Sequence, residues 1–213
     1  MKSNKYLKIP RMVTEYVIAC PEFMLTLFYL WMECDYFTGR GRFTIQQIVD
    51  LSGAGRTTAR VARIMRSLQV LINSEILELP SIEDITTAKP RQVLDANFRY
   101  KFFYEVENEY VIVRQKFVER LLSMEYEGNR CNPINLLFLA LAKKGCIEDK
   151  TNFSRRHMAK DLKISSHELE RCIASLVKTK ICAISPSCGY FNYDSVTLLL
   201  SIKLDSFFDD PWG

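Results

Sequence analysis

Four arginines, Arg56, Arg60, Arg63 and Arg66, fall between Leu51 and Ser74, a stretch without a single acidic residue. At 100° per residue Val61, Ile64, Leu68 and Ile72 gather on one side of a helix over 57–72. Arg56, Arg60 and Arg63 share a narrow arc opposite, with Ser67 among them and Arg66 flanking. Such a helix buries its apolar side and offers guanidinium forks and a small hydroxyl on the other. A fork takes two hydrogen bonds at once to guanine O6 and N7, or to a phosphate. Thr57 and Thr58 stand at the helix start, where free backbone N–H groups favour a phosphate. The plainer account is a solvated basic face. Solvated faces normally carry glutamate for i,i+4 pairing, and its absence weights the pattern towards nucleic acid.

A second basic region is more mixed. Arg155, Arg156 and Lys160 decorate a short helix, and His167, Arg171 and Lys178 lie on the polar side of a longer one, interrupted by Glu168 and Glu170. From Lys150 to Lys180 there are eight basic and three acidic residues. Phosphate contact fits that balance, and a unit that only packs or dimerises fits it equally. Arg99 and Lys101 on the polar face of a strand would clamp a nucleic-acid backbone, or serve to block edge pairing.

No other chemistry is signalled. Gly53-Ala54-Gly55-Arg56-Thr57-Thr58 lacks the lysine and spacer of a phosphate loop, and neither GxGxxG after a strand nor GxSxG occurs. The two histidines, His157 and His167, are too far apart for a His-x-His metal motif, and His157 is followed at plus three by Lys160 rather than arginine. No catalytic residue, metal ligand set or cofactor is expected.

The elements that must position these residues follow from composition and periodicity. The 213 residues are 48% hydrophobic and 25% charged, with a formal charge of +4, enough for one large domain or two units of about 100 residues. Seven cysteines at irregular spacing, without a CxxC, argue for a reducing cytoplasm rather than a disulfide framework. With no export signal and no apolar run of membrane length, the expectation is a soluble, cytoplasmic protein without a membrane partner.

Along the chain, 5–16 reads as a short strand or extended arm. An apolar helix runs from Pro21 to about Tyr36, and Thr44 caps a short helix with Ile45, Ile48, Val49 and Leu51. A glycine-bearing turn leads to the arginine helix: short helix, turn, longer helix is helix-turn-helix grammar. A strand at 75–79, a polar stretch over 80–97, and strands at 98–106 and 110–113 follow, the last two forming a wing. An amphipathic helix over 115–125 connects to the boundary Glu127-Gly128-Asn129-Arg130-Cys131-Asn132-Pro133. The order then repeats: an apolar helix from Pro133, a short helix from Phe153-Ser154, a turn at Lys163-Ile164-Ser165, a longer helix over 166–179, and strands at 181–185 and 196–203. Thr57, Val61, Ile64 and Leu68 align with Ser165, Leu169, Cys172 and Leu176. The tail Phe207-Phe208-Asp209-Asp210-Pro211-Trp212 would dock on the chain's own core or on a partner.

With these residues in view, both halves resemble winged-helix DNA-binding domains. The first 80 residues resemble most the front units of plasmid and phage replication-initiation proteins. The cues are Tyr6-Leu7-Lys8-Ile9-Pro10-Arg11 before an apolar helix, Phe43-Thr44-Ile45-Gln46-Gln47-Ile48-Val49, and the helix bearing Arg60 and Arg63. The expected fold is mainly α with small β wings (α+β): a winged unit over 1–114, a connecting helix and linker over 115–130, and a second unit over 131–213. The resemblance implies a sequence-specific double-stranded DNA binder acting as a pseudo-dimer or a homodimer. It would be a replication initiator or transcriptional regulator of a mobile element, meeting the replication or transcription machinery. The alternative is an adaptor that uses winged helices for protein contact.

Overall fold

The computed structural model of the chain describes residues 6–10, 13–53, 58–99, 110–144, 150–184 and 195–200. They form a mixed α+β fold, mostly helical, with eight α-helices and three small antiparallel sheets.

The first strand, β1 (Tyr6–Pro10), is extended as expected, but helix α1 (Val13–Ala19) replaces the rest of the predicted arm. Val13, Val17 and Cys20 recur at helical spacing and are all buried. Helix α2 (Phe23–Glu33) is buried at every residue from Phe23 to Trp31, as an all-round apolar helix must be. It stops short of Tyr36 because the Asp35 carboxylate accepts from the Phe37 and Thr38 amides and turns the chain. Strand β2 (Arg40–Phe43) leads into α3 (Ile45–Leu51), whose Thr44 and Gln47 form a full capping box, worth about 1 kcal/mol. Then comes α4 (Thr58–Asn73), the arginine helix.

One expectation about the strands needs correction. After β3 (Leu77–Glu78), the stretch read as polar folds into a 3-10 turn (Ile85–Thr87) and strand β4 (Leu94–Phe98), with Leu94, Ala96 and Phe98 facing inward. The third strand of the sheet is therefore β4, four residues earlier than predicted, in the order β2–β4–β3. Strand β5 (Tyr110–Arg114) pairs with β1, Tyr6 opposite Arg114 and Pro10 opposite Tyr110, while the other strand of the predicted wing, 98–106, lies mostly outside the described residues. The loop that joins the last two strands of this sheet is thus 79–93. Residues 100–109, including Lys101, lie outside the described residues.

Helix α5 (Gln115–Ser123) connects to α6 (Cys131–Lys144). Strand β6 (Lys150–Ser154), α7 (Arg155–Leu162), α8 (Ser166–Lys178), β7 (Cys182–Ile184) and β8 (Ser195–Leu200) follow, with sheet order β6–β8–β7. Ser154 caps α7 and Ser165 caps α8, each side chain accepting from the amide three residues on. Helix, strand, helix, helix, strand, strand, with the final strand in the middle of its sheet, therefore occurs twice.

The α6 helix packs on α1 and α2 as well as on α7 and α8, so one apolar core runs through both repeats. Five buried cysteines belong to it. Burial pushes the Cys34, Cys172 and Cys182 thiols up to about 12, and those of Cys20 and Cys131 upward too, leaving them protonated at neutral pH. Three helices end on a charged residue in the left-handed region: Glu75 (φ 56°) after α4, Lys163 (φ 55°) after α7 and Lys180 (φ 57°) after α8. Glycine is the usual occupant, and a Cβ there costs about 1–2 kcal/mol. Among the described residues no single helix is long and apolar enough to cross a membrane.

Candidate nucleic-acid interface

The arginine face of α4 is turned partly inward rather than wholly to solvent as predicted, with Arg66 exposed. Arg60 is only 7% exposed, Ser67 is fully buried, and the Arg63 Nε donates at 2.6 Å to the carboxylate of Glu22, itself 0% exposed. The inward side of α4 is formed by Arg60, Ile64, Ser67, Leu68 and Leu71, while Val61 and Ile72 lie half-buried at its margin. At 100° per residue the buried set is turned roughly 60° from the set predicted by apolar periodicity.

The cause lies just before α2. Cys20 and Glu22 bring polar atoms to the α2–α4 contact, and α4 turns its polar residues to meet them. The Cys20 Sγ lies 3.0 Å from Ser67 Oγ and donates to the Arg63 carbonyl, to which Ser67 also donates. The charges of Glu22, Arg60 and Arg63 all reach the buried Cys131 thiol at the start of α6. A buried carboxylate is costly unless paired, so Glu22 sets the rotation of the helix. The signal was present in the sequence: Glu22 is the lone acid at the head of a helix that stays apolar, Thr26 apart, until Glu33.

What α4 presents outward is a stripe of Thr58, Ala59, Ala62, Arg66 and Asn73, with Gln69 half-buried beside it. Gln69 donates to Asn73 at 2.8 Å. The stripe carries no carboxylate, and small side chains at its N-terminal end leave room for close approach to a surface. Arg56 and Thr57 lie outside the described residues.

The loop 79–93 supplies cations that sequence reasoning left in an unassigned polar stretch. Lys89-Pro90-Arg91-Gln92 makes a closed turn in which Gln92 N donates to Lys89 O and its side chain accepts from Lys89 N. Proline at the second position presets such a turn. The Pro90 carbonyl accepts from Gln46 N at 2.7 Å, fixing the turn on the first turn of α3. Lys89 and Arg91 are exposed. The Asp84 carboxyl, held below its usual range by hydrogen bonds from the Thr86 side chain and backbone, caps the 3-10 turn behind them. A proline turn flanked by two cations was the available cue.

Arg99 does not join this loop. It sits at the other end of β4, between Glu75 and Glu78, 3.8 and 3.7 Å away. Arg42 is likewise paired, with Asp95 at 2.8 Å.

In the second repeat Arg156, His157 and Lys160 are exposed on α7, with Lys163 just beyond it and His167 on the first turn of α8. Arg155 is tied to Glu170 at 2.6 Å. Arg171 is engaged by the linker: it lies over the Tyr126 ring, pairs with Glu168 and donates to the Glu127 carbonyl. Glu168 also accepts from Tyr126 Oη and Asn132 Nδ2. Burial, with the bonds to Cys172 and Glu168, pushes the Tyr126 phenol far above its usual range. Lys178 is exposed at the far end of α8.

The linker also holds the turn before α4. Arg130 donates to the Leu51 and Leu122 carbonyls, and its amide to Ser52. Gly53 (φ 77°) lies so close to Gly128 that a Cβ would stand 3.1 Å from the Gly128 carbonyl, while a Cβ on Gly128 would meet Glu168 at 3.5 Å. The α3–α4 turn and the first turn of α8 thus converge on one glycine. No cluster of three or more metal-binding side chains occurs among the described residues. No protein-family model matches this chain, and no curated protein is similar to it in sequence.

Proposed function

We propose that this chain is a duplex-DNA-binding protein made of two winged-helix units in tandem. The observation that carries the reading is the repeated order of elements, with a carboxylate-free outward stripe on α4, the third helix of the first repeat. In such units that helix enters the major groove and the loop between the last two strands reaches the flanking backbone. Here Arg66 and Gln69 would read base edges, arginine suiting guanine and glutamine adenine. Lys89 and Arg91 would hold phosphates on one side, and Arg156, Lys160 and His167 on the other. Arg60, Arg63 and Ser67 have a different task, setting the helix from behind. Because Gly53 of the α3–α4 turn and Glu168 in the first turn of α8 both lie at Gly128, one continuous site fits better than two half-sites a full turn of about 34 Å apart. Such a protein would act at a replication origin or at a promoter.

A protein-contact adaptor is the second reading, favoured by the burial of Arg60 and the engagement of Arg63 by Glu22, which leave a thinner basic surface. Selection from random duplex DNA at two salt concentrations separates the two. An enriched motif with a steep salt slope is expected; weak binding that ignores sequence overturns the DNA reading.

A further inference from the structure

The turn after α2 holds a phenyl ring out in solvent. Phe37 is 85% exposed, edge-on to Tyr36 with 5.6 Å between ring centres. A single exposed apolar side chain is ordinary, but this one stands on a fixed turn. The Asp35 carboxylate accepts from the Phe37 and Thr38 amides and from the Thr38 hydroxyl. The Asp35 amide donates to Arg40 O, and Gly39 N closes on Asp35 O. A ring ordered before contact loses little conformational freedom on binding. Arg40, three residues on, is exposed and makes no ion pair among the described residues. We propose that this knob seats in a groove of a second copy of the chain, and the inference does not rest on the DNA reading.

The groove, of about 350 Å³, lies between the end of α4, strand β3 and the start of the loop 79–93. Its apolar lining includes Ile72, Leu79 and Ile82, and Glu75, Glu78 and Glu83 stand along it. Arg99 answers the first two carboxylates at 3.8 and 3.7 Å, while Glu83 is exposed with no ion pair among the described residues. An apolar floor with a spare carboxylate matches a ring with a spare guanidinium. Aromatic anchors in pockets carry most interface energy, and opposite charges beside them fix the register.

The placement makes the contact reciprocal. Phe98 N donates to Gly39 O at 2.7 Å and Arg99 N to Ile76 O at 2.8 Å, so knob and groove stand at the same end of the sheet, on its β2 and β3 edges. The Phe37 ring, being exposed, does not fill its own groove. Two copies facing end to end about a two-fold axis place each ring in the other's groove and each Arg40 at the other's Glu83.

The test is sedimentation equilibrium of the full chain over a range of concentrations. The parent should pass from one chain to two as concentration rises. Phe37→Ser should weaken association at least about tenfold, with an unchanged Tm in dilute, monomeric solution. Arg40→Glu and Glu83→Arg should each weaken it about tenfold, since each sets like charges together twice in the dimer. Mixed in equal amounts, these two variants should pair with each other as the parent pairs with itself, because both charge contacts are then restored. A parent that stays a single chain at every concentration overturns the proposal. So does a dimer indifferent to Phe37→Ser, which places the interface elsewhere, or a mixture that associates no better than its components.

Discussion

Helices α4 and α8 hold the same place in a repeated order of elements, and their charges are disposed in opposite ways. In α4 the guanidinium of Arg63 reaches behind the helix to a buried carboxylate, and the outward stripe is left without acids. In α8 the basic side is engaged at its middle, where the linker holds Arg171 and Arg155 holds the neighbouring Glu170, while His167 and Lys178 stay exposed at its two ends. The first helix has its outer surface available and the second is clamped. One unit is therefore suited to reading a surface and the other to fixing its orientation.

The sharpest way to break this comparison is to remove the pair behind α4. Arg63→Ala leaves the Glu22 carboxylate buried and uncompensated and should cost about 3 kcal/mol of stability in urea unfolding. A variant as stable as the parent would mean that the pair does not hold the helix. Next comes the loop beside α4. Lys89→Ala with Arg91→Ala should leave stability within about 0.5 kcal/mol and lower the magnitude of the salt slope of DNA binding by about 2. An unchanged slope would remove the loop from the interface.

Much of this frame was legible in sequence. The capping box at Thr44, the serine caps at Ser154 and Ser165, and the periodicity of Leu169, Cys172 and Leu176 are local signals, and each lies where the pattern puts it. The orientation of α4 was not legible, because burial there is decided by a partner 41 residues away, Glu22. Periodicity counts apolar residues and cannot see that an arginine will be buried against a distant acid. The β4 strand was missed for a related reason: Asp95 and Asn97 mask a clean inward alternation of Leu94, Ala96 and Phe98 that only pairing with β2 and β3 reveals.

Two smaller effects sharpen the contrast further. Arg171→Ala should cost about 1 kcal/mol, less than Arg63→Ala, because Glu168 keeps Tyr126 and Asn132 as donors and is partly solvated. A cost matching that of Arg63 would erase the difference between the helices. The smallest effect concerns Asp84. Its carboxyl is depressed in the folded chain, so its contribution is fully present above the ordinary carboxylate range and is lost as pH falls through the folded value. Amide exchange over 84–88 should accelerate in that acidic window relative to Asp84→Asn, which has no such titration. Identical pH profiles for the two would show that the cap does not hold the loop.

The most direct measurement is the affinity of Arg66→Ala for a duplex selected by the parent chain, with urea unfolding of both proteins alongside. An outward, base-reading Arg66 predicts unchanged stability and a loss of about 1–3 kcal/mol in binding, with relaxed discrimination at one base position. Equal affinity and equal discrimination would contradict the assignment of the α4 stripe as the reading surface.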